Sequence, residues 1–439
     1  MRSLKKYTKY LDLIASLILF SLGFSVYMAA LTRTWMMPGI DGPYYVVQVN
    51  YLLSHGVLKY QDPPLVFYVF SLFTLAVGDA FLGVKIGVSL LTALASIPVF
   101  LLFKKLTDSR ITGVTASLAF LFAPQTFRLL GDFMKNSSGL LWLNLYLYLL
   151  YLCLEKGGGK RQALAILSLF LTALTHILDY GVALLYTILF AFLALFLRLK
   201  IRNIALPILA SAASLALFFS IPAVVGGDVF KGVSFIVDLI EQDYSKMGPL
   251  RTEWFILSWC TAIALILYSV MAYLRGEKKK STVSSASALV MLALNLPFLP
   301  RNWLFRFQLM TPVPMSHAFG FVAGGFKDKW HEIAALLLVA GIIGVLALPA
   351  FYSVRPSIPE EAYMELKYVV EDVLPSLDGE HCLVVPNARI GYWVETLGVE
   401  VYKKPQCISP IFILEIRTRH PHLRGRIIYK GKYVMAIAP

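Results

Sequence analysis

Long apolar runs occupy residues 11–31, 86–103, 140–154, 163–178, 182–197, 205–225, 254–273 and 333–351, and short loops rich in Lys and Arg separate them. Several approach the ~20 residues that cross a hydrocarbon core of ~30 Å, so they read as membrane spans. Of the 439 residues 58% are hydrophobic and only 15% are charged, too few charges to cover a soluble surface of this size. The net charge of +14 does not point to nucleic acid. Lys and Arg cluster beside helix ends, which is the pattern of membrane topology and not of a nucleic-acid groove. The chain therefore reads as an α-helical polytopic membrane protein. Its first run is about 21 residues, longer than the core of a signal peptide, and reads as an uncleaved anchor.

The basic stretches fix the threading. They are Lys5, Lys6 and Lys9; Lys104, Lys105 and Arg110; Lys156, Lys160 and Arg161; Arg198, Lys200 and Arg202; Arg275 and Lys278 to Lys280; and Lys327 with Lys329. All should face the cytoplasm, with two spans and one outward loop between consecutive stretches. One apolar segment, 65–78, is about 14 residues, or ~21 Å as a helix, too short to cross. If it crossed, every later basic loop would lie opposite the N-terminus. It is therefore expected to lie along the outer surface, with the second span running from near Asp79 to Lys104 and Lys105. This threading gives about eleven spans and an N-terminus inside. The outward segments are 32–78, 124–138, 176–181, 226–253 and 300–306. The weakest span is 307–326, which contains Pro312, Pro314, Ser316 and His317. If it fails, the tail moves to the cytoplasm.

Two domains follow: a transmembrane domain over 1–352 and a small α/β domain over 353–439. In the tail 359–374 has helical periodicity, 381–386 and 411–416 read as short buried strands, and 427–437 as a hairpin turning at Lys430 and Gly431. Cys153 and Cys260 lie in apolar runs as small packing residues. Cys382 and Cys407 can pair if the tail is extracytoplasmic, although spacing alone does not fix connectivity.

The first outward loop is the most informative stretch. It reads Asp41-Gly42-Pro43-Tyr44-Tyr45, then Asn50 to Gly56, then Asp62-Pro63-Pro64-Leu65. Gly42-Pro43 opens a helix and Gly56 closes it, so a surface helix is expected over 42–54, with Asp41 as its N-cap. A cap at that position is also a well-oriented carboxylate. An Asp shortly after the first span, a Tyr three or four residues on, and a Pro-Pro-Leu run resemble the first outer loop of GT-C fold glycosyltransferases. The protein O-mannosyltransferases and lipid A aminoarabinose transferases are the most similar. The resemblance is strongest over 41–101, looser across the membrane region, and absent from the tail. It implies that Asp41 is the catalytic carboxylate; Tyr44, Tyr45 and Asp62 of the same loop are candidates to position sugar or acceptor. It also implies that the Pro-Pro-Leu segment is a juxtamembrane helix. Where that family carries Arg, this chain has Lys85, which meets a phosphate as a point charge without Arg's fork.

Other polar residues collect at the same membrane edge. Asp132 and Lys135 form a carboxylate and cation that suit a sugar phosphate; an interfacial ion pair is the plainer reading. No Asp-x-Asp is present, which leaves metal dependence open: a divalent cation (Mg or Mn) is possible and no cofactor is certain. Asn136-Ser137-Ser138 matches a glycosylation sequon but hugs the membrane. His176 and Asp179 sit one helical turn apart at the outer end of a span, where ionisable residues default to function, though they can also simply satisfy each other. Asp228, Asp238, Glu241 and Asp243 surround an apolar stretch at 233–240 that reads as a lid or an interfacial helix. Arg301 and Arg306 run against the positive-inside trend, and a lipid phosphate supplies a reason; snorkelling beside Trp303 is the alternative.

The expected function is glycosyl transfer from a polyprenyl-phosphate carrier to a protein, lipid or glycan acceptor. Asp41 is the expected general base, and the reaction inverts the anomeric centre. Arg301, Arg306, Lys85 and Lys135 are the candidate donor-phosphate ligands; Asp132, His176 and Asp179 position sugar or acceptor. The expected location is the plasma membrane, with site and tail on the extracytoplasmic side. Two alternatives stand: an oligosaccharyltransferase-like enzyme using a lipid pyrophosphate, and a transporter or flippase. Polar residues gathered at the outer edge rather than mid-membrane weigh against transport.

Overall fold

The computed structural model describes residues 2–220, 237, 240, 241, 247–326, 328–377, 379, 381–407, 409–416 and 425–438. Asp228, Asp238, Asp243, Lys327 and most of the expected lid lie outside the described residues. Among those described, six helices are long and apolar enough to cross a membrane: Tyr10–Leu31, Ala80–Thr107, Met134–Lys156, Ile177–Phe196, Thr252–Leu274 and Lys329–Ser353. The expected count of about eleven is not reached by length alone. Leu65–Val77 and Arg110–Leu121 are shorter apolar helices, and Gly159–Thr175 has 17 residues.

The residues form two compact units: Met1–Ala30, Gln61–Val69 and Ile86–Ser353 in the first; Leu31–Tyr60, Phe70–Lys85 and Val354–Pro439 in the second. In chain order the helices are α1 (Arg2–Leu31), α2 (Gly42–His55), α3 (Leu65–Val77), α4 (Ala80–Leu94), α5 (Ser96–Thr107), α6 (Arg110–Leu121), α7 (Pro124–Asp132), α8 (Met134–Lys156), α9 (Gly159–Thr175), α10 (Ile177–Phe196) and α11 (Ala205–Ser220). They continue with α12 (Thr252–Leu274), α13 (Lys278–Ala293), α14 (Arg301–Gln308), α15 (Pro312–Gly324), α16 (Lys329–Ser353), α17 (Glu360–Tyr368) and α18 (Ala388–Glu395).

The first unit is a helix bundle whose interior is packed through small residues. A Cβ at Gly113 would lie 2.7 Å from the Phe100 carbonyl oxygen, and Gly320 leaves no room for one against Phe103. Such glycines let helix backbones approach closely where lipid supplies no hydrophobic drive. Pro98 cannot donate to the Leu94 carbonyl, and the second apolar run divides there into α4 and α5. The segment expected as one span at 307–326 divides as well. Helix α14 ends at Gln308, and α15 starts at Pro312, where a proline costs no hydrogen bond. At the end of the bundle rich in Lys and Arg, Asp12 pairs with both Lys104 and Arg110, so part of the basic excess there is neutralised locally.

The second unit joins the tail to the first loop. Strands β1 (Cys382–Val384), β2 (Val401–Tyr402), β3 (Pro410–Glu415), β4 (Arg426–Lys430) and β5 (Val434–Ala438) form a mixed sheet in the order β2-β1-β3-β5-β4. β1 lies parallel to β2 and β3, and β5 lies antiparallel to β3 and β4. A parallel neighbour needs a crossover, which α18 provides between β1 and β2. The expected hairpin and both buried strands are present; α18 and β2 are additions. Cys382 and Cys407 are joined as a disulfide. Trp393 of α18 is fully buried, with Phe81 and Tyr363 packed against it at ring-centroid distances of 6.4 and 5.4 Å. Trp35 completes the cluster, 5.1 Å from Tyr363 and hydrogen-bonded through Nε1 to Glu360 at 2.8 Å. Burial of aromatics of this size dominates the energy of a small domain; Phe81 packs on this core, while Trp35, 44% exposed, lies at its edge.

Candidate functional site

Within the first unit the sequence-predicted polar residues resolve into distinct pairs. Lys135, at the start of α8, forms an ion pair with Asp62, and its ammonium lies 5.9 Å from the Phe67 ring centre. Asp132, which ends α7, pairs one turn back with Arg128, so Asp132 and Lys135 do not pair with each other. Asp179 sits fully buried in the first turn of α10, where the helix dipole favours a carboxylate. His176 Nδ1 is 3.2 Å from its Oδ2. With its amide nitrogen turned toward the carboxylate, Asn136 donates to Oδ1 at 2.8 Å. Gly139 of α8 is where a side chain would collide with that carboxylate. The sequon asparagine is thus buried and engaged, as its position at the membrane predicts.

Arg301 and Arg306 are exposed on α14, Arg306 lying over the Trp303 ring at 5.3 Å. Beside them is a cavity of about 890 Å³ walled by α7, α12, α14 and α16. Its lining is mainly apolar, with Ile256, Leu257, Val345 and Leu346 along the walls. Arg128, Arg251 and Glu253 are its charged lining residues; Arg251 pairs with Glu253 at 3.5 Å and Arg128 with Asp132. Arg128 lies over the Phe305 ring at 6.0 Å, Arg251 over Trp254 at 5.7 Å, and the two rings stack at 6.1 Å. Pro349 within α16 cannot donate to the Val345 carbonyl, which leaves that acceptor at the wall. Arg301 and Arg306 are not among the lining residues, whereas Arg128 and Arg251 are. Arg251 carries the same sequence signal that singled out Arg301, an outward cation beside a Trp.

In the second unit Asp41 precedes α2. Pro43 in the first turn and Gly56 in the left-handed region, φ 76°, bound the helix as the sequence implies. The expected cap is different: Asp41 holds the N-cap position, but its side chain makes no capping hydrogen bond. Its φ and ψ of −85° and −9° are helical, whereas a capping side chain needs an extended backbone at that residue. Gly42 is tight against Met37, 2.9 Å from where a Cβ would meet it. Lys85 donates to the Thr34 and Trp35 carbonyls, both at 2.8 Å, and so fixes the chain just beyond α1. Tyr45 is buried against Phe70, while Tyr44 is half-buried among other tyrosine rings.

For a metal, the described residues contain no group of three or more His, Cys, Asp or Glu able to hold one. Asp62 and Asp132 face cations, and Asp179 has Asn136 and His176. These carboxylates do not, among the described residues, assemble a donor set for a divalent ion.

The chain is similar in fold to the archaeal oligosaccharyltransferase AglB from Archaeoglobus fulgidus in complex with an inhibitory peptide and a dolichol-phosphate. The TM-score is 0.61 at 14% identity, over 89% of this chain and 64% of that one. It is similar also to ArnT from Cupriavidus metallidurans. For the apo state the TM-score is 0.60 at 9% identity, and for the form bound to undecaprenyl phosphate 0.53 at 10%, each over 96% of this chain and 97% of ArnT. No curated protein sequence matches. A mainly helical membrane chain with this likeness has the GT-C fold. Residues 61–225 match the dolichyl-phosphate-mannose-protein mannosyltransferase family. That match covers less than half of the chain, and the chain spans less than two thirds of the length of the archaeal structure, so what these matches show is the fold of the GT-C class.

Proposed function

We propose that this protein transfers a sugar from a polyprenyl-phosphate carrier to an acceptor hydroxyl on the extracytoplasmic face of the cell membrane. The observation that carries the reading is the apolar cavity with Arg128 and Arg251. A polyprenyl phosphate joins a hydrocarbon chain to an anionic head, and a lipid-accessible apolar wall edged by guanidinium groups offers both complements. Arg301 and Arg306 on the adjoining α14 add positive charge for the departing phosphate, whereas the expected ligand Lys135 is held by Asp62. Lys85 acts in this reading chiefly by holding residues 34 and 35.

Asp41 is the general base. It takes the proton of the acceptor hydroxyl as that oxygen bonds to the anomeric carbon; the bond from that carbon to the phosphate oxygen breaks, and the polyprenyl phosphate leaves with the electron pair. Attack from the face opposite the leaving group inverts the anomeric configuration. Asp132, His176 and Asp179 position the sugar. The Cys382–Cys407 disulfide supports an extracytoplasmic tail, because such bonds persist in oxidising compartments.

The test is transfer by purified protein from a panel of radiolabelled polyprenyl-phosphate sugars, with a lipid-pyrophosphate oligosaccharide in the same panel. Asp41→Asn should abolish transfer and leave donor binding intact. Full activity in that variant overturns the assignment. Activity with the pyrophosphate donor alone, lost with a chelator, would instead favour the oligosaccharyltransferase-type reaction.

A further inference from the structure

Two loops meet at the Lys- and Arg-rich end of the first unit. One joins α8 to α9 and carries Lys156, Lys160 and Arg161; the other follows α10 and carries Arg198, Lys200 and Arg202. Asn203, in the short 3-10 helix Ile201–Ile204, ties them together. Its Nδ2 donates to the Leu154 carbonyl at 3.4 Å, and its Oδ1 lies 2.9 Å from where a Cβ would stand on Gly157. A second tie is the Leu206 N–H, which donates to Gln162 Oε1 at 3.3 Å. Arg161 Nη1 donates to the Gly157 carbonyl at 2.8 Å, which keeps that guanidinium at the junction. The other five cations are exposed.

Membrane topology asks only that such loops be basic. Elsewhere at this end acids answer several of the bases: Asp12 pairs with Lys104 and Arg110, Glu155 with Lys105, and Glu277 with Lys280. Among the described residues no carboxylate pairs with any of these six cations. Arg198 adds an independent sign. Its N–H donates to the Leu195 carbonyl at 3.0 Å and the Leu199 N–H to the Ala194 carbonyl at 2.7 Å, the paired bonds that close a helix around a left-handed residue. Glycine is the usual occupant of that position, yet Arg198 stands there at φ 54°. A side chain kept where its backbone is strained asks for a use other than ending the helix. Apolar surface adjoins the cations. Leu195 and Phe196 at the end of α10 are 59% and 72% exposed, and Leu206 and Leu209 at the start of α11 are 49% and 63% exposed.

We propose that these two loops form a binding surface for the phosphate of an anionic phospholipid, whose acyl chains lie against Leu195, Phe196, Leu206 and Leu209. Arg meets phosphate oxygens with two parallel donors, and Lys adds point charge. Charge and apolar surface alternate closely along the chain, with Phe196 two residues before Arg198 and Leu206 four after Arg202. That juxtaposition suits an amphiphile. A nucleic acid or an acidic protein would meet the cations and leave the apolar wall unused. Clusters of four to eight Lys and Arg beside membrane helices recognise anionic lipid through this combination. In the proposed orientation the lipid lies in the cytoplasmic leaflet, and its binding does not depend on the reaction catalysed.

Native mass spectrometry of full-length protein in detergent tests this with phosphatidylglycerol, phosphatidylcholine and inorganic phosphate as probes. Phosphatidylglycerol should bind at least about ten-fold more tightly than phosphatidylcholine, and equimolar inorganic phosphate should not displace it. The triple variant Arg198→Gln, Lys200→Gln and Arg202→Gln should lose most of that preference, at roughly five-fold per cation removed. Arg275→Gln with Lys278→Gln and Lys279→Gln removes the same charge from another loop at this end and should keep it. Arg198→Gly separates binding from folding. Glycine suits the left-handed backbone, so this variant should melt at or above the wild-type temperature while phosphatidylglycerol binding falls roughly five-fold. It decides the matter if the triple variant does not fold. No preference for phosphatidylglycerol, displacement by inorganic phosphate, equal losses in the two triple variants, or unchanged binding in Arg198→Gly would each overturn the proposal. Tighter binding of a single-stranded polynucleotide than of phosphatidylglycerol would overturn it in favour of nucleic acid.

Discussion

Lys135 and Asp62 form an ion pair in which the carboxylate is buried and the ammonium half-buried, with side-chain exposures of 3% and 15%. The pair ties the chain just before α3 to the start of α8. Removing one partner of a buried pair strands the other charge, at a cost of about 3–5 kcal/mol. Lys135→Ala should therefore lower the melting temperature markedly in detergent. The double variant Lys135→Met with Asp62→Asn should recover much of the loss, since two neutral groups pay no such penalty. Equal destabilisation in single and double variants would show that the pair itself contributes little.

Asp41 makes the opposite prediction. Because its side chain makes no capping hydrogen bond to α2, Asp41→Asn should not incur the ~1 kcal/mol typical of a lost cap. Thermal melts of the purified variant check this directly. A loss of a full cap's worth would mean that the carboxylate holds the helix after all, and that inactivity cannot be read as catalysis.

Two glycines near Asp179 should respond with opposite signs. A Cβ at Gly139 runs into the Asp179 carboxylate, and overpacking against a buried group costs about 1–3 kcal/mol. Gly181, within α10, has nothing within 4 Å of its Cβ position. Gly181→Ala should be neutral or gain up to about 1 kcal/mol from helix propensity. Melting curves of the two variants, measured side by side, test whether the His176–Asp179–Asn136 arrangement is as tight as described.

The cysteines supply a labelling experiment. Cys153 is buried, Cys382 and Cys407 are joined, and Cys260 is exposed at the wall of the Arg128–Arg251 cavity. N-ethylmaleimide should modify Cys260 alone, and undecaprenyl phosphate should slow that reaction while the same lipid without phosphate does so less. Unaltered labelling at saturating lipid phosphate would remove the cavity from the donor site.

Breaking the disulfide should be felt by the tail. It closes a loop of 25 residues, for which the chain-entropy account gives about 3.5 kcal/mol. Cys382→Ser with Cys407→Ser, or a reductant, should lower the stability of the tail by roughly that amount, read by limited proteolysis. A membrane-impermeant reductant acting on intact cells would also report which side the tail occupies.

Much of this was legible in the sequence because the bilayer imposes simple rules. The basic loops and run lengths identify the spans, and 65–78 is recognisable as too short because a helix rises only ~1.5 Å per residue. Gly42-Pro43 and Gly56 bound α2 correctly, since both ends rest on local backbone chemistry. The division of 307–326 at Leu309 to Thr311 was signalled by Pro312, which starts a helix more comfortably than it continues one. What stayed hidden was pairing at a distance. Nothing local in Lys135 distinguishes Asp62 from Asp132 as its partner, and Arg128 is one turn from Asp132 only once α7 is known to end there. Tyr392, whose ring lies 5.2 Å from that of Tyr44, is more than three hundred residues away in the chain and carries no periodicity that points to it. The cavity arginines were missed for the same reason, because its walls come from four helices separated in the chain.

The second unit has a consequence for how the protein is made. Its core draws on residues 31–60 and 70–85, yet Tyr363 and Trp393 are synthesised only after Ile86–Ser353, about 270 residues later. At roughly 5–20 residues per second that is a wait of about 15–55 s. For that interval Trp35 and Phe81 have been translated without Tyr363 and Trp393, the rings they pack against. The lipid headgroup region, where Trp rests comfortably, is the natural shelter. Biogenesis is thus a race between holding the first loop at the membrane surface and delivering the tail that captures it. Slow translation through the bundle would expose the nascent chain to proteases at its amino-terminal loop, far from the site where synthesis stalled.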